Sequence, residues 1–213
     1  MESFDELLRM AEVAHGHLCA GQILGVRMAL LACRELGVSD PRGVDRKALV
    51  TYVEIDRCAT DAIGLVTNCK LGRRALKFRD WGKMAATFVH LASGRALRVV
   101  ALENSRELAA ERYPEVASKG QQQMRAYREL ADEELFRAQW VAVDLPPEER
   151  PGFKGPRATC DACGEGINFG RFVERQGEEG SMRLCLSCAY PELRYWRVVG
   201  EAVEDVGTGE DAG

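Results

Sequence analysis

Met84-Ala85-Ala86-Thr87-Phe88-Val89-His90 and Ala96-Leu97-Arg98-Val99-Val100-Ala101 flank Ser93-Gly94. Two runs with β-branched and aromatic side chains around a short glycine-bearing turn predict a β-hairpin. Upstream, Leu49-Val50-Thr51-Tyr52-Val53-Glu54-Ile55 reads as another strand and leads directly into Asp56-Arg57-Cys58, while Leu76 to Trp81 reads as extended. Downstream, Trp140 to Leu145 returns as a final strand.

The rest of residues 1–145 is helical by pattern. Phe4, Leu7, Leu8 and Ala11 recur at helical spacing over residues 3–14. A second helix over Ala20–Glu35 carries bulky Ile23, Leu24, Met28, Leu30 and Leu31, beside a stripe of small residues four apart, Gly21, Gly25, Ala29 and Cys33. Glycine inside a helix costs about 1 kcal/mol relative to alanine, so the stripe predicts close approach of another backbone, with Cys33 in the core. Ala59–Val66, Glu103–Arg112 and Gly120–Arg137 read as further helices, with Pro114 breaking the last two apart. Helix, helix, strand, helix, hairpin, helix, strand is not a regular βαβ alternation, which favours an α+β core with an antiparallel or mixed sheet and flanking helices.

The 213 residues are 46% hydrophobic and 29% charged, with a net charge of −4. That suffices for one core domain and a small module. No stretch approaches the roughly 20 apolar residues that span a bilayer, and Met1-Glu2-Ser3-Phe4-Asp5-Glu6 is acidic where a signal peptide is basic, so a cytoplasmic location is expected. In that compartment eight cysteines read as metal ligands, reactive thiols or buried small residues, not disulfides.

From Pro146-Pro147 the composition turns polar and rich in Pro and Gly. The organisation expected is a core over 1–145, a linker over 146–157, a four-cysteine module over 158–200 and a disordered acidic tail over 201–213. Cys160-x-x-Cys163 and Cys185-x-x-Cys188 supply the four thiolates that structural zinc prefers. A hairpin of Ile167–Val173 with Met182–Leu184, turning at Gln176–Gly180, and Pro191 in the first turn of a closing helix match a treble-clef zinc finger. Between Pro151 and Gly200 seven Lys or Arg meet six acids, and a four-thiolate zinc adds two negative charges, so protein contact is favoured over nucleic acid.

His15-Gly16-His17-Leu18-Cys19 is a second candidate metal site, placed directly before the Ala20 helix. In an extended segment the three side chains would share one side; Gly16 makes an irregular turn equally open. Cys58, at a strand-to-helix junction, is the further ligand expected, and Cys69 a weaker one. Glu54, Asp56 and Asp61 are candidates to orient a ligating histidine or to accept a proton. On the bland alternative, His15 caps the first helix and Cys58 is inert. His90 on the hairpin reads as structural.

His15-Gly16-His17-Leu18-Cys19-Ala20-Gly21-Gln22, Asp56-Arg57-Cys58-Ala59-Thr60-Asp61-Ala62, Thr67-Asn68-Cys69-Lys70-Leu71-Gly72 and Asp80-Trp81-Gly82-Lys83-Met84-Ala85 together resemble the core of the FmdE-like family, named for a component of formylmethanofuran dehydrogenase, over most of residues 10–101. The four-cysteine module resembles the finger that some members carry. Ala20 departs from the family's usual Pro, and Asn68 and Lys70 from its Gly and Thr. The resemblance implies an α+β core, an intertwined homodimer and a metal site near the His-x-His-x-Cys segment, matched here by His17, Cys19, Cys58 and His15.

Three functions are expected from this. The first is a metal-binding accessory or subunit-like partner of a molybdenum- or tungsten-type one-carbon enzyme, with zinc in the finger and a second divalent metal, zinc by preference, in the core. The second is an independent metal-dependent enzyme in which Cys19, Asp56 and Asp61 are catalytic. The third is a metal sensor or regulatory interaction protein.

Overall fold

A five-stranded sheet backed by helices forms the first unit, Met1–Phe153, of the computed structural model, which describes residues 1–177 and 180–200. The expected tail 201–213 lies outside the described residues, as do Glu178 and Glu179 of the expected turn. In chain order the first unit runs α1 (Phe4–His15), α2 (Ala20–Leu36), β1 (Leu49–Val53), α3 (Cys58–Thr67), β2 (Leu76–Phe78), β3 (Ala85–His90), β4 (Ala96–Ala101), α4 (Ser105–Arg112), α5 (Lys119–Glu129), α6 (Asp132–Leu135) and β5 (Phe136–Val141). The sheet order is β2-β1-β3-β4-β5, parallel only between β1 and β2 and antiparallel elsewhere. The α+β reading is thus the observed fold, with one local βαβ unit, β1-α3-β2, at its edge.

Alternation along the strands gives the sheet two different faces. Leu49, Val53, Ala86, Phe88, Leu97 and Val99 enter the main core with Leu7, Leu8, Ile23, Val26 and Met28 of α1 and α2. Val50, Val89 and Ala96 point the other way and pack with Tyr52, Leu91, Val141, Val143 and Leu145. Helix α1 starts at Ser3, whose hydroxyl accepts from the Glu6 N–H while the Glu6 carboxylate accepts from the Ser3 N–H, a capping box.

The small-residue stripe on α2 meets α3. A Cβ at Gly25 would fall 2.8 Å from Ala59 Cα, 2.9 Å from Ala62 Cβ and onto the Ala59 carbonyl oxygen; one at Gly21 would fall 3.4 Å from Cys58 Cβ. Cys33 is fully buried, and burial pushes its thiol up to about 12.

Two expectations, the single helix over residues 120–137 and the strand start at Trp140, need correction here. Residues 120–137 are not one helix: Leu130 is extended, α6 begins after Ala131, whose N–H is held by Glu134, and Phe136 already pairs with Ala101. The last strand therefore starts at Phe136, not Trp140, because pairing with β4 and burial of Leu135 and Phe136 override helical composition. Residues 146–153, expected in the linker, pack on the first unit. Pro147–Glu149 forms a 3₁₀ turn, and Glu149 accepts from Tyr52 Oη at 2.9 Å and Arg79 Nη2 at 2.7 Å.

The second unit begins at Lys154. It contains β6 (Ala158–Thr159), β7 (Gly166–Ile167), β8 (Phe172–Gly177), β9 (Gly180–Cys185) and α7 (Leu186–Ala189). The expected hairpin with Met182–Leu184 forms, with Val173 opposite Leu184, but its first strand, expected over Ile167–Val173, divides. Ile167 pairs with Ala158, while Phe172–Gly177 pairs with Gly180–Cys185, because left-handed Phe169 and Gly170 turn the chain between them. Pro191 opens a 3₁₀ turn, not a longer helix.

Candidate metal centre

Gly16 decides how the first cluster forms. At φ +93° it terminates α1 with its N–H on the Glu12 carbonyl, and the chain reverses instead of extending. The turn brings the His15 and His17 rings to a centroid distance of 4.9 Å, and Cys19, the N-cap residue of α2, follows. One ligand atom from each of His15, His17 and Cys19 lies within 4.8 Å of the others, a group that could hold a metal ion. His17 is exposed and the other two are half-buried.

Asp61, in the first turn of α3, holds His15: Nδ1 to Oδ2 is 2.9 Å. Cys58 opens α3 beside Cys19 but is not part of the converging group. Burial raises its thiol, and a hydrogen bond with the Cys19 side chain raises it further. The Gly21 and Gly25 contacts with α3 account for that neighbourhood, since they press the start of α3 against α2.

The remaining sequence candidates separate from this group. Asp56 is exposed in the loop before α3. Glu54 is 2% exposed and forms a two-pronged ion pair with Arg98, Nε to Oε1 and Nη2 to Oε2 both 2.7 Å, so it neither orients a histidine nor stands free as a base. Cys69 is buried, takes a hydrogen bond from Thr51 Oγ1 at 3.4 Å and gives one to the Leu49 carbonyl, and burial raises its thiol. His90 Nδ1 lies 2.8 Å from Ser93 Oγ and braces the hairpin turn.

In the second unit the four sulfurs of Cys160, Cys163, Cys185 and Cys188 lie within 4.8 Å of one another. Local backbone builds this site. Gly164 N–H bonds the Cys160 carbonyl, and left-handed Gly164 closes the first knuckle; Cys185 caps α7, which carries Cys188. The Cys185 N–H donates to Cys160 Sγ at 3.3 Å and lowers that thiol to about 6. Arg194 Nη2 reaches Cys188 Sγ at 3.6 Å, and Ser187 Oγ lies 3.2 Å from Cys185 Sγ. Sequence spacing alone did not mark Arg194 or Ser187 as neighbours of these sulfurs.

A family model described as FmdE, molybdenum formylmethanofuran dehydrogenase operon, matches residues 14–138, a span that opens one residue before His15. The chain belongs to the FmdE family. It is 32% identical over 216 residues to a probable S-adenosyl-L-methionine-binding protein of Archaeoglobus fulgidus, covering 92% of this chain and 55% of that protein. This FmdE-family chain thus spans about half the length of that curated relative. The crystal structure of a tungsten formylmethanofuran dehydrogenase FmdE-like protein from Syntrophus aciditrophicus shares the fold, with a TM-score of 0.62 over 91% of this chain and 95% of that one, at 23% identity. Among the described residues no helix is long and apolar enough to cross a membrane.

Proposed function

We propose that this FmdE-family chain binds two metal ions, a zinc held structurally by Cys160, Cys163, Cys185 and Cys188 in a treble-clef module, and a second divalent ion at His15, His17 and Cys19. The observation that carries the reading is the convergence of those three core donors with Asp61 on the Nδ1 of His15. A carboxylate on one imidazole nitrogen fixes the ring and raises the basicity of the other, the usual support of a ligating histidine. In this reading His15 ligates through Nε2. Cys58, beside Cys19, is the fourth ligand in this reading. A bound ion there supplies Lewis acidity.

The family description, with its molybdenum formylmethanofuran dehydrogenase operon, supports an accessory role beside a one-carbon enzyme. We place that role in the cytoplasm, in a homodimer, with protein and not nucleic acid as the partner. An enzyme reading is favoured by one feature, the three-donor set, since three protein ligands with an open position is the catalytic zinc pattern. In it Cys19 and Asp56 remain the reactive candidates, while Asp61 serves His15.

Elemental analysis of the anaerobically purified full chain tests the two-centre reading. About two metals per chain are expected, falling to about one in Cys19→Ser/Cys58→Ser and to about one in Cys160→Ser/Cys163→Ser. Wild-type content of about one, lost only in the second variant, overturns the core centre. Affinity capture that repeatedly recovers no molybdenum or tungsten enzyme overturns the accessory role.

A further inference from the structure

The sheet face turned away from the helices carries a cavity of about 460 Å3 that shares no residue with either cysteine cluster. Its size is that of a small-molecule site, for which roughly 300–1,000 Å3 is typical. Tyr52, Trp81, Val141, Val143 and Pro146 contribute apolar walls, and Glu54, Thr87 and Arg98 supply polar groups from three adjacent strand segments.

Three observations define what fits. Trp81 is 62% exposed, yet its backbone is pinned. Its N–H and that of Lys83 both bond the Glu54 carbonyl, at 3.2 and 3.1 Å, around left-handed Gly82. The Lys83 ammonium lies 5.8 Å from the ring centroid, and a large exposed aromatic ring at the wall of a cavity is a stacking platform on its other face. Second, Arg98 commits Nε and Nη2 to the buried Glu54 and has no acceptor for Nη1 among the described residues; the hydroxyl of Thr87, 8% exposed, is likewise without a partner there. Third, the charges form two ion pairs, Glu54 with Arg98 and Glu149 with Arg79, and the further carboxylate of Asp144 adds to the negative side. Paired charges and apolar walls disfavour an anion as the main recognised group and favour a neutral polar ring.

We propose that this cavity binds a 6-oxopurine, stacked on Trp81 and read by the outer edge of the Arg98 guanidinium. Nη1 and the second N–H of Nη2 form the end-on fork that matches the paired O6 and N7 acceptors of guanine, and Glu54 holds that fork in plane. Adenine presents an amino donor at the same edge and is rejected by the arginine. The inference is independent of the metal centres, since no donor of either cluster lines the cavity.

Isothermal titration of the full-length, metal-loaded protein with guanosine, inosine and adenosine is the test. Guanosine and inosine are expected to bind at least tenfold more tightly than adenosine. Trp81→Ala removes an exposed side chain and is expected to weaken guanosine binding about tenfold or more, the scale of one base–aromatic stack, with an unchanged melting temperature. Arg98→Lys keeps the charge opposite Glu54 but loses the fork, and is expected to abolish the preference over adenosine. Absence of heat with millimolar guanosine and inosine, equal affinity for adenosine, or wild-type guanosine binding by Trp81→Ala would each overturn the proposal.

Discussion

His15 Nδ1 and Asp61 Oδ2 lie 2.9 Å apart, tying the last residue of α1 to the first turn of α3. This contact converts a histidine at a helix end into an oriented one. Outer carboxylates of this kind are worth about 10–100-fold in metal affinity. Asp61→Asn is therefore expected to weaken zinc at the core site by that factor and leave the four-cysteine site untouched, as read by competition with a chromophoric chelator. Equal core affinity in the variant would remove Asp61 from the site.

Gly25 is the position at which α3 closes on α2. Gly25→Ala drives a methyl group into Ala59 backbone atoms, which cannot swing aside. A cost of about 1–3 kcal/mol is expected from such overpacking. Urea unfolding measures it, and core metal content should fall in parallel, because Cys58 precedes Ala59. An unchanged midpoint would mean that the helices separate freely.

Glu54 and Arg98 form a pair in which the carboxylate is almost wholly buried. Removing one partner strands the other. Glu54→Leu or Arg98→Leu should each cost about 3 kcal/mol, and Glu54→Leu/Arg98→Leu distinctly less than the sum. Chemical denaturation of the three variants decides; strict additivity would deny the coupling.

Tyr52 supplies a pH signature. Burial, reinforced by its hydrogen bond to Glu149, pushes its phenol up to about 12 from 10.0. A raised folded value favours the protonated form, so the contribution is full below pH 10 and is lost as pH rises through about 12. Ultraviolet titration should show a late tyrosinate that Tyr52→Phe removes, along with part of the alkaline loss of stability. A variant that titrates like the wild type would refute the assignment.

Thiol chemistry separates the cysteines by environment. Cys33 and Cys69 are buried with raised thiols and should resist alkylation in the native, metal-stripped protein, whereas half-buried Cys185, whose thiol is lowered by its hydrogen bond with Ser187, should react. Peptide mass spectrometry reads this directly. Prompt labelling of Cys33 would contradict its place in the core.

Sequence by itself determined much of this chain. Local periodicity placed α1, α2 and the β3–β4 hairpin, glycine spacing on α2 announced a close helix contact, and paired Cys-x-x-Cys motifs marked the four-sulfur group, because each signal is written within a few neighbouring residues. The family resemblance also lay in short motifs. Tertiary structure alone decided the rest. It ended the fifth helix at Glu129 and began β5 at Phe136, since strand pairing with β4 outweighs helical composition. It turned His15 toward Asp61, set Glu54 on Arg98 away from the histidines, and brought Glu149 onto Tyr52. These partners are far apart in sequence, and only burial and charge pairing in the folded chain select them.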